Sequence, residues 1–259
     1  MSPWTLSNFA AEKFNNHDGP RRSVWLELTK ICQRSLPQQC AFCAAPSGEL
    51  PVCVACRAGL PRIDSACPLC ALPAPGGAVC GACLARPPPF AAAFAAFAYD
   101  FPLDRLLQAF KYGGRLSHAD FFAAALSERV AQRPTGAPWP DALVALPLAQ
   151  SRQRARGFDQ AAEIARRVSR NTGVTMMPGL RRTRDTPAQA ALPWKERARN
   201  VRGAFAADPS VAGRRIAVVD DVMTTGATLA SAANAVLRAG AHSVEAWAVA
   251  RTLPPTQPP

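Results

Sequence analysis

Two stretches of this chain hold residue types whose spacing suits chemistry. The first lies between Cys40 and Cys83, where eight of the nine cysteines form four Cys-x-x-Cys pairs: Cys40/Cys43, Cys53/Cys56, Cys67/Cys70 and Cys80/Cys83. A two-residue spacer lets two thiolates converge on one tetrahedral Zn²⁺ at about 2.3 Å, so these ligands predict two four-cysteine zinc sites. With all four positions filled by sulfur no place remains for water, and both metals are expected to be structural. Adjacent knuckles pair most simply, and a crossed arrangement between the two units satisfies the same spacing. Disulfides or a thiol redox motif are the other use of such pairs, but they suit oxidising compartments and thioredoxin-like contexts. Cys32 has no partner pair and is expected to be an ordinary buried thiol.

The second stretch is Arg215-Ile216-Ala217-Val218-Val219-Asp220-Asp221-Val222-Met223-Thr224-Thr225-Gly226-Ala227-Thr228-Leu229. It reads as a buried strand, two carboxylates at its carboxyl end, a loop of hydroxyls and glycine, and a helix start. Peptide N–H groups entering a helix converge with partial positive charge, and Thr224, Thr225 and Thr228 add hydroxyl donors, together a seat for a phosphate dianion. Gly226 lets the backbone approach the ligand, and Ala227 completes the loop between it and Thr228. Asp220 and Asp221 cannot hold phosphate, but they can accept hydrogen bonds from the two free hydroxyls of a ribose or engage Mg²⁺. Ribose beside phosphate is the ligand this arrangement fits.

Basic residues lie on either side of that motif. Arg152, Arg154 and Arg156 follow an apolar segment, in a run read here as a basic loop before a helix, and Lys111 follows an amphipathic helix. The formal charge is +12. Residues 142–203 carry thirteen Lys/Arg against four Asp/Glu, a net of +9, enough for a surface that tracks a nucleic-acid backbone. Aromatic residues interleaved with that charge are few, chiefly Phe158, Trp194 and Phe205, so base stacking is not strongly indicated.

Several elements must position these groups. The four cysteine pairs repeat at a fixed 27-residue offset, an internal duplication. The prolines Pro87, Pro88 and Pro89 stiffen the chain after it, and the domain boundary is placed there. Residues 1–22 read as a loose leader, 23–86 as a short helix plus a double zinc ribbon, 90–252 as the phosphate-binding domain and 253–259 as a Pro-rich tail. Within the larger domain the periodicity predicts a strand over 90–99 and a helix through Leu103, Leu106, Leu107 and Phe110. A loop over 111–115 follows, then a second helix capped by Ser117 with Asp120. Strands over 142–146, 174–177, 215–219 and 243–250 alternate with helices over 160–168 and 229–239, the pattern of a parallel sheet covered on both faces. Residues 216–219 are continuously apolar, as a central strand should be. The first 22 residues lack a secretory apolar core, and no run approaches the ~20 residues of a spanning helix, which predicts a cytoplasmic chain without membrane insertion.

The strand, paired acids and Thr-Thr-Gly loop resemble the phosphoribosyl-pyrophosphate (PRPP) signature of type I phosphoribosyltransferases. With the cysteine pairs, Arg152 to Gln160, Gln189, Arg197, Asn200, Val201 and Ala204-Phe205, the chain resembles the ComF family over about residues 36–252. These are competence-related, double zinc ribbon phosphoribosyltransferase-like proteins. Asp159 stands where that family usually has Asn, so a contact specific to an amide is not carried over, although Asp still caps a helix.

The resemblance implies an α/β type I phosphoribosyltransferase-like sheet behind a small double zinc ribbon, with PRPP bound together with Mg²⁺. Arg152, Arg154, Lys111, Asp220, Asp221 and the run Thr224, Thr225, Gly226, Ala227, Thr228 would bind PRPP, while Asp220, Asp221 and Arg156 would carry catalysis. A flexible loop is expected within 181–203. The expected activity is phosphoribosyl transfer with release of pyrophosphate, or use of PRPP binding in competence and DNA uptake. The alternative is a non-catalytic single-stranded-DNA-handling or regulatory protein, with DNA and DNA-uptake proteins as partners. Past the last predicted strand only nine residues remain, too few for a base-recognising hood, so an acceptor pocket falls to residues 90–126 or to a partner.

Overall fold

The computed structural model of the chain describes residues 38–184, 201 and 203–254, and its first elements are two copies of one small pattern. In the first copy Cys40 N–H donates to Ala45 O at 2.8 Å and Ala44 N–H to Cys40 O at 2.9 Å. In the second, 27 residues on, Cys67 N–H donates to Leu72 O at 2.8 Å and Ala71 N–H to Cys67 O at 2.9 Å. Each knuckle turns on an alanine held at positive φ, +60° at Ala44 and +56° at Ala71. Each copy then enters a five-residue helix, α1 (Val54–Ala58) and α2 (Gly81–Ala85). The duplication is thus one of backbone geometry as well as of cysteines. Residues 1–37, with the expected leader, its helix and Cys32, lie outside the described residues, as do 185–200, with Gln189, Trp194, Arg197 and Asn200, and 255–259.

The larger part runs β1 (Ala92–Ala98), α3 (Leu103–Gly113), α4 (His118–Ala131), β2 (Ala142–Ala145), α5 (Gln150–Arg156), α6 (Gln160–Thr172), β3 (Leu180–Arg182), β4 (Phe205–Ala207), β5 (Arg215–Met223), α7 (Ala227–Arg238) and β6 (Ser243–Arg251). Four strands form a parallel sheet in the order β1-β6-β5-β2. Side chains alternate across its pleat. Ile216 and Val218 of β5 share a core with Leu229, Ala232 and Val236 of α7, whereas Ala217 and Val219 share one with Phe122 and Leu126 of α4 and Ile164 and Val168 of α6. Each large apolar side chain so enclosed is worth about 1.5–3 kcal/mol over exposure. The expected architecture, a parallel sheet with helices on both faces and a double zinc ribbon before it, is the one observed, with β5 central.

The segment joining the two ribbon copies lies along β1, the edge of the sheet. Ala98 N–H donates to Pro61 O at 2.7 Å, Ile63 N–H to Ala96 O at 3.3 Å and Ala93 N–H to Pro68 O at 2.8 Å. An edge strand's unpaired donors and acceptors are thereby covered.

Five local expectations need correction. Residues 150–156 are helix α5 rather than a basic loop. Lys111 sits in the last turn of α3, which continues to Gly113 and ends on left-handed Gly114 (φ +63°), so the glycine pair stops the helix later than the polar residues suggest. Ser117 is already helical and makes no side-chain cap. The strand expected over 174–177 shrinks to one bridge, Leu143 to Met176, beside the short edge strand β2. Finally, β5 continues past Val219 to Met223, so both acids lie inside the strand.

Candidate functional site

A cavity of about 740 Å³ opens where the parallel strands end. Its wall takes residues following β1 (Tyr99), β2 (Leu146 to Leu148) and β6 (Thr252), together with Asp220, Asp221 and the turn after β5. Crevices at the carboxyl ends of parallel strands are where open α/β sheets bind ligands.

The turn after β5 is built by its own residues. Gly226 is the N-cap of α7 at φ +79°, and its carbonyl accepts the first helical bond from Ala230 N–H at 2.8 Å. A Cβ at this glycine would stand 2.8 Å from Met223 Cε. The N–H groups of the first helical turn have no intrahelical acceptor and carry the positive end of the helix dipole. Thr224, Gly226 and Thr228 line the cavity. Thr225 and Ala227 do not: Thr225 Oγ1 accepts from Ala227 N–H at 3.1 Å, so this threonine shapes the turn.

Asp220 and Asp221 share the adjoining wall. Asp221 Oδ2 lies 3.0 Å from Lys111 Nζ, and Asp221 N–H donates to Asp220 Oδ1 at 2.8 Å. Burial and then the charge of Asp221 push the Asp220 carboxyl up to about 8, with Lys111 pulling the other way. Burial also works against the charge on Lys111, but Asp221 and Asp220 outweigh it and leave the ammonium held above its ordinary value. The buried Asp221 is thus paired with Lys111 while the half-buried Asp220 holds its proton near neutral pH, and carboxylate oxygens set side by side in this way are hard donors that fit a Mg²⁺ ion.

The basic residues divide according to helical geometry. Arg152 and Arg156 are four apart on α5 and both line the cavity, whereas Arg154, two residues from each, falls on the other face and is exposed. The Arg156 guanidinium lies 5.0 Å over the Tyr112 ring and donates to Gln160 Oε1 at 2.8 Å. Asp159 caps α6, accepting from Ala162 N–H at 3.0 Å, and its other oxygen accepts from Leu148 N–H at 3.1 Å. Both oxygens are therefore used, a task that an amide group cannot perform with its nitrogen.

Sequence reasoning passed over Tyr99, Gln108, Tyr112, Gln160, Arg182 and Thr252 as wall residues. It also missed Arg251, placed just past the last predicted strand but closing β6 at 3% exposure. Its position at the end of an apolar strand, where a charge ordinarily marks an exit to solvent, concealed it. Of the loop expected within 181–203, Arg181 and Arg182 belong to β3, paired antiparallel with β4.

In the ribbons, Cys40, Cys43, Cys53 and Cys56 form one cluster and Cys67, Cys70, Cys80 and Cys83 the other, each with all sulfurs within 4.8 Å of one another. Adjacent knuckles pair, and the crossed arrangement is not adopted. Cys43 and Cys53 sulfurs are 3.8 Å apart and those of Cys70 and Cys80 3.6 Å. Four ligands at about 2.3 Å around a tetrahedral ion would stand about 3.8 Å apart, whereas a disulfide needs about 2.05 Å. These two four-cysteine sites fit zinc.

Residues 31–84 match the family described as Double zinc ribbon domain. Over 171 residues the chain is 36% identical to DNA utilization protein YhgH of Escherichia coli K12, covering 65% of this chain and 75% of that protein. It is 31% identical over 156 residues to Competence protein F of Haemophilus influenzae, covering 58% and 68%. Among solved structures, the glutamine PRPP amidotransferase of B. subtilis complexed with ADP and GMP aligns at TM-score 0.36 and 22% identity, over 54% of this chain and only 30% of that one. The purine phosphoribosyltransferase of Pyrococcus horikoshii aligns at TM-score 0.32 and 18% identity, over 51% and 71%. No helix among the described residues is long and apolar enough to cross a membrane.

Proposed function

This chain belongs to the ComF family, and from that membership we propose that its cavity binds PRPP, for phosphoribosyl transfer or as a ligand that governs DNA handling in competence. The observation carrying this reading is the convergence on one cavity of paired acids, a helix-opening Thr-Gly turn and two arginines of one helix face. Thr224, Gly226 and Thr228 receive the 5′-phosphate, Asp220 and Asp221 accept from the ribose hydroxyls, and Arg152 and Arg156 face the pyrophosphate. Mg²⁺ bound with the substrate would supply charge neutralisation of the departing pyrophosphate. Lys111 orients Asp221.

In the transfer step the bond from ribose C1 to the pyrophosphate oxygen breaks and its electron pair leaves with pyrophosphate. The lone pair of a nucleophile closes on C1 and its proton is released. Arg156 stabilises charge growing on the leaving group, and it is preorganised for this by Gln160 and Tyr112. The name of the Escherichia coli relative points to DNA and that of the Haemophilus influenzae relative to competence, and exposed Arg154, Arg166 and Arg170 favour a second reading in which PRPP binding regulates a DNA-handling surface without turnover.

Calorimetric titration of the full chain with PRPP and Mg²⁺, then a pyrophosphate-release screen over amines and bases, separates the readings. Replacing Asp220 and Asp221 together with Asn should weaken PRPP at least tenfold, since each charge-assisted hydrogen bond is worth about 1.5–3 kcal/mol. Inorganic phosphate, lacking ribose, should bind no worse. Unchanged PRPP affinity in the folded variant, or an equal loss for phosphate, would sink the assignment. Binding without turnover favours the regulatory reading.

A further inference from the structure

Arg251 is buried at 3% exposure, and its bonding reaches both halves of the molecule. Nε donates to the carbonyl of Cys70 in the second ribbon at 2.8 Å. Nη1 donates to the carbonyls of Met223 at 3.0 Å and Thr252 at 2.8 Å, and to that of Thr224. Met223 and Thr224 are the residues on which β5 gives way to the turn before α7. In a trans peptide the N–H points opposite to the carbonyl of the same plane. Carbonyls of Met223 and Thr224 gathered on Arg251 therefore turn the N–H groups of Thr224 and Thr225 away from it. A flip of either peptide would present an oxygen where a donor now stands.

A buried guanidinium bonded only to carbonyls needs a counter-charge. The charged site it reaches is the second cluster, since the Cys70 whose carbonyl accepts from Nε is itself one of that cluster's four ligands. Four thiolates around one Zn²⁺ carry a surplus of negative charge. Among the described residues the first cluster makes no hydrogen bond to Arg251 or to the turn after β5, and its Cys40 packs with Val52 and Leu60 in the apolar core shared with α3 and α4.

We propose that Arg251 is a positioning residue through which metal occupancy of Cys67, Cys70, Cys80 and Cys83 controls the affinity of the phosphate turn, while the first cluster is uncoupled. This rests on the phosphate-binding role given to that turn. Coupling between two sites is reciprocal: if the loaded second ribbon favours ligand, ligand must favour the loaded second ribbon by the same factor.

The test uses the full chain, equilibrated with graded chelator with and without saturating PRPP, followed by thiol alkylation and mass spectrometry of the two cysteine peptides. PRPP should raise the chelator concentration needed to expose the second set about tenfold and leave the first set where it was. Equal shifts of both sets, or none in a protein that calorimetry shows to bind PRPP, would overturn the coupling alone. A protein that binds neither PRPP nor phosphate would overturn the ligand reading and the coupling with it. Arg251→Met should keep both clusters loaded and lose the selective shift. Arg251→Lys serves if that variant does not fold, because it keeps the charge but its single nitrogen cannot stand both at the Cys70 carbonyl and at those of the turn. Retention of the shift in either variant contradicts the proposal.

Discussion

Asp220 illustrates how far one residue's chemistry follows from its neighbours. Its carboxyl is pushed up to about 8, first by burial and then by Asp221, against an unfolded value near 3.9. Between those values the folded chain keeps a proton that the unfolded chain has lost, so this group's stabilising contribution is whole below about pH 4 and is lost as pH rises toward 8. The slope approaches about 1.4 kcal/mol per pH unit at most. Asp220→Asn has no such proton, so urea unfolding at pH 5, 7 and 8.5 should show the wild type losing stability relative to the variant. A constant difference between the two across that range would contradict it. The two acids, Thr224, Gly226 and Thr228 were legible in the sequence because strand, acids, turn and helix are consecutive. The duties of Thr225 and Arg154 were not, since which way a side chain turns depends on hydrogen bonds and helix faces that residue types do not encode.

At the level of elements, legibility followed apolar periodicity. Helices α3 and α6 bury Leu106, Leu107 and Phe110, and Ile164 and Val168, at helical spacing and were read as helices. Helix α5 buries none of its residues, so no apolar pattern could reveal it. The β5-turn-α7 junction was found, but its dependence on one backbone angle was not. Gly226 holds φ +79° as the N-cap of α7. Gly226→Ala should cost about 1–2 kcal/mol for the left-handed conformation, with a further cost as Met223 gives way. Gly226→Asn should lose less from the backbone, since Asn tolerates that region. Denaturant unfolding measures both, and an alanine variant as stable as the wild type would show that the turn relaxes to another conformation.

Across the whole molecule, the two halves are joined by contacts that sequence reading does not reach. Arg251 and Cys70 are 181 positions apart, and nothing local to either names the other. The duplication, by contrast, was plain from spacing alone, and it bears on how the chain acquires its metals. Two identical pairs of chelating knuckles offer a nascent or denatured chain a wrong partner: Cys40 and Cys43 can close on Cys80 and Cys83 as well as on Cys53 and Cys56. The correct closure spans nine residues between Cys43 and Cys53 and the crossed one thirty-six between Cys43 and Cys80, although the inner crossed closure, Cys56 to Cys67, spans only ten. Each doubling of a loop costs only about 0.6 kcal/mol, so the fourfold difference favours correct closure by about 1.2 kcal/mol, roughly eightfold. Refolding of the metal-free chain with stoichiometric zinc should then give misregistered molecules, at least on the order of one in ten, that recover faster when a weak chelator is present. Replacing Cys67, Cys70, Cys80 and Cys83 with Ser leaves one possible closure and should remove that slow fraction, and its persistence would place the cause elsewhere. A repeat that doubles the metal sites thus also sets a sorting problem, which the short loop inside each copy solves only in part.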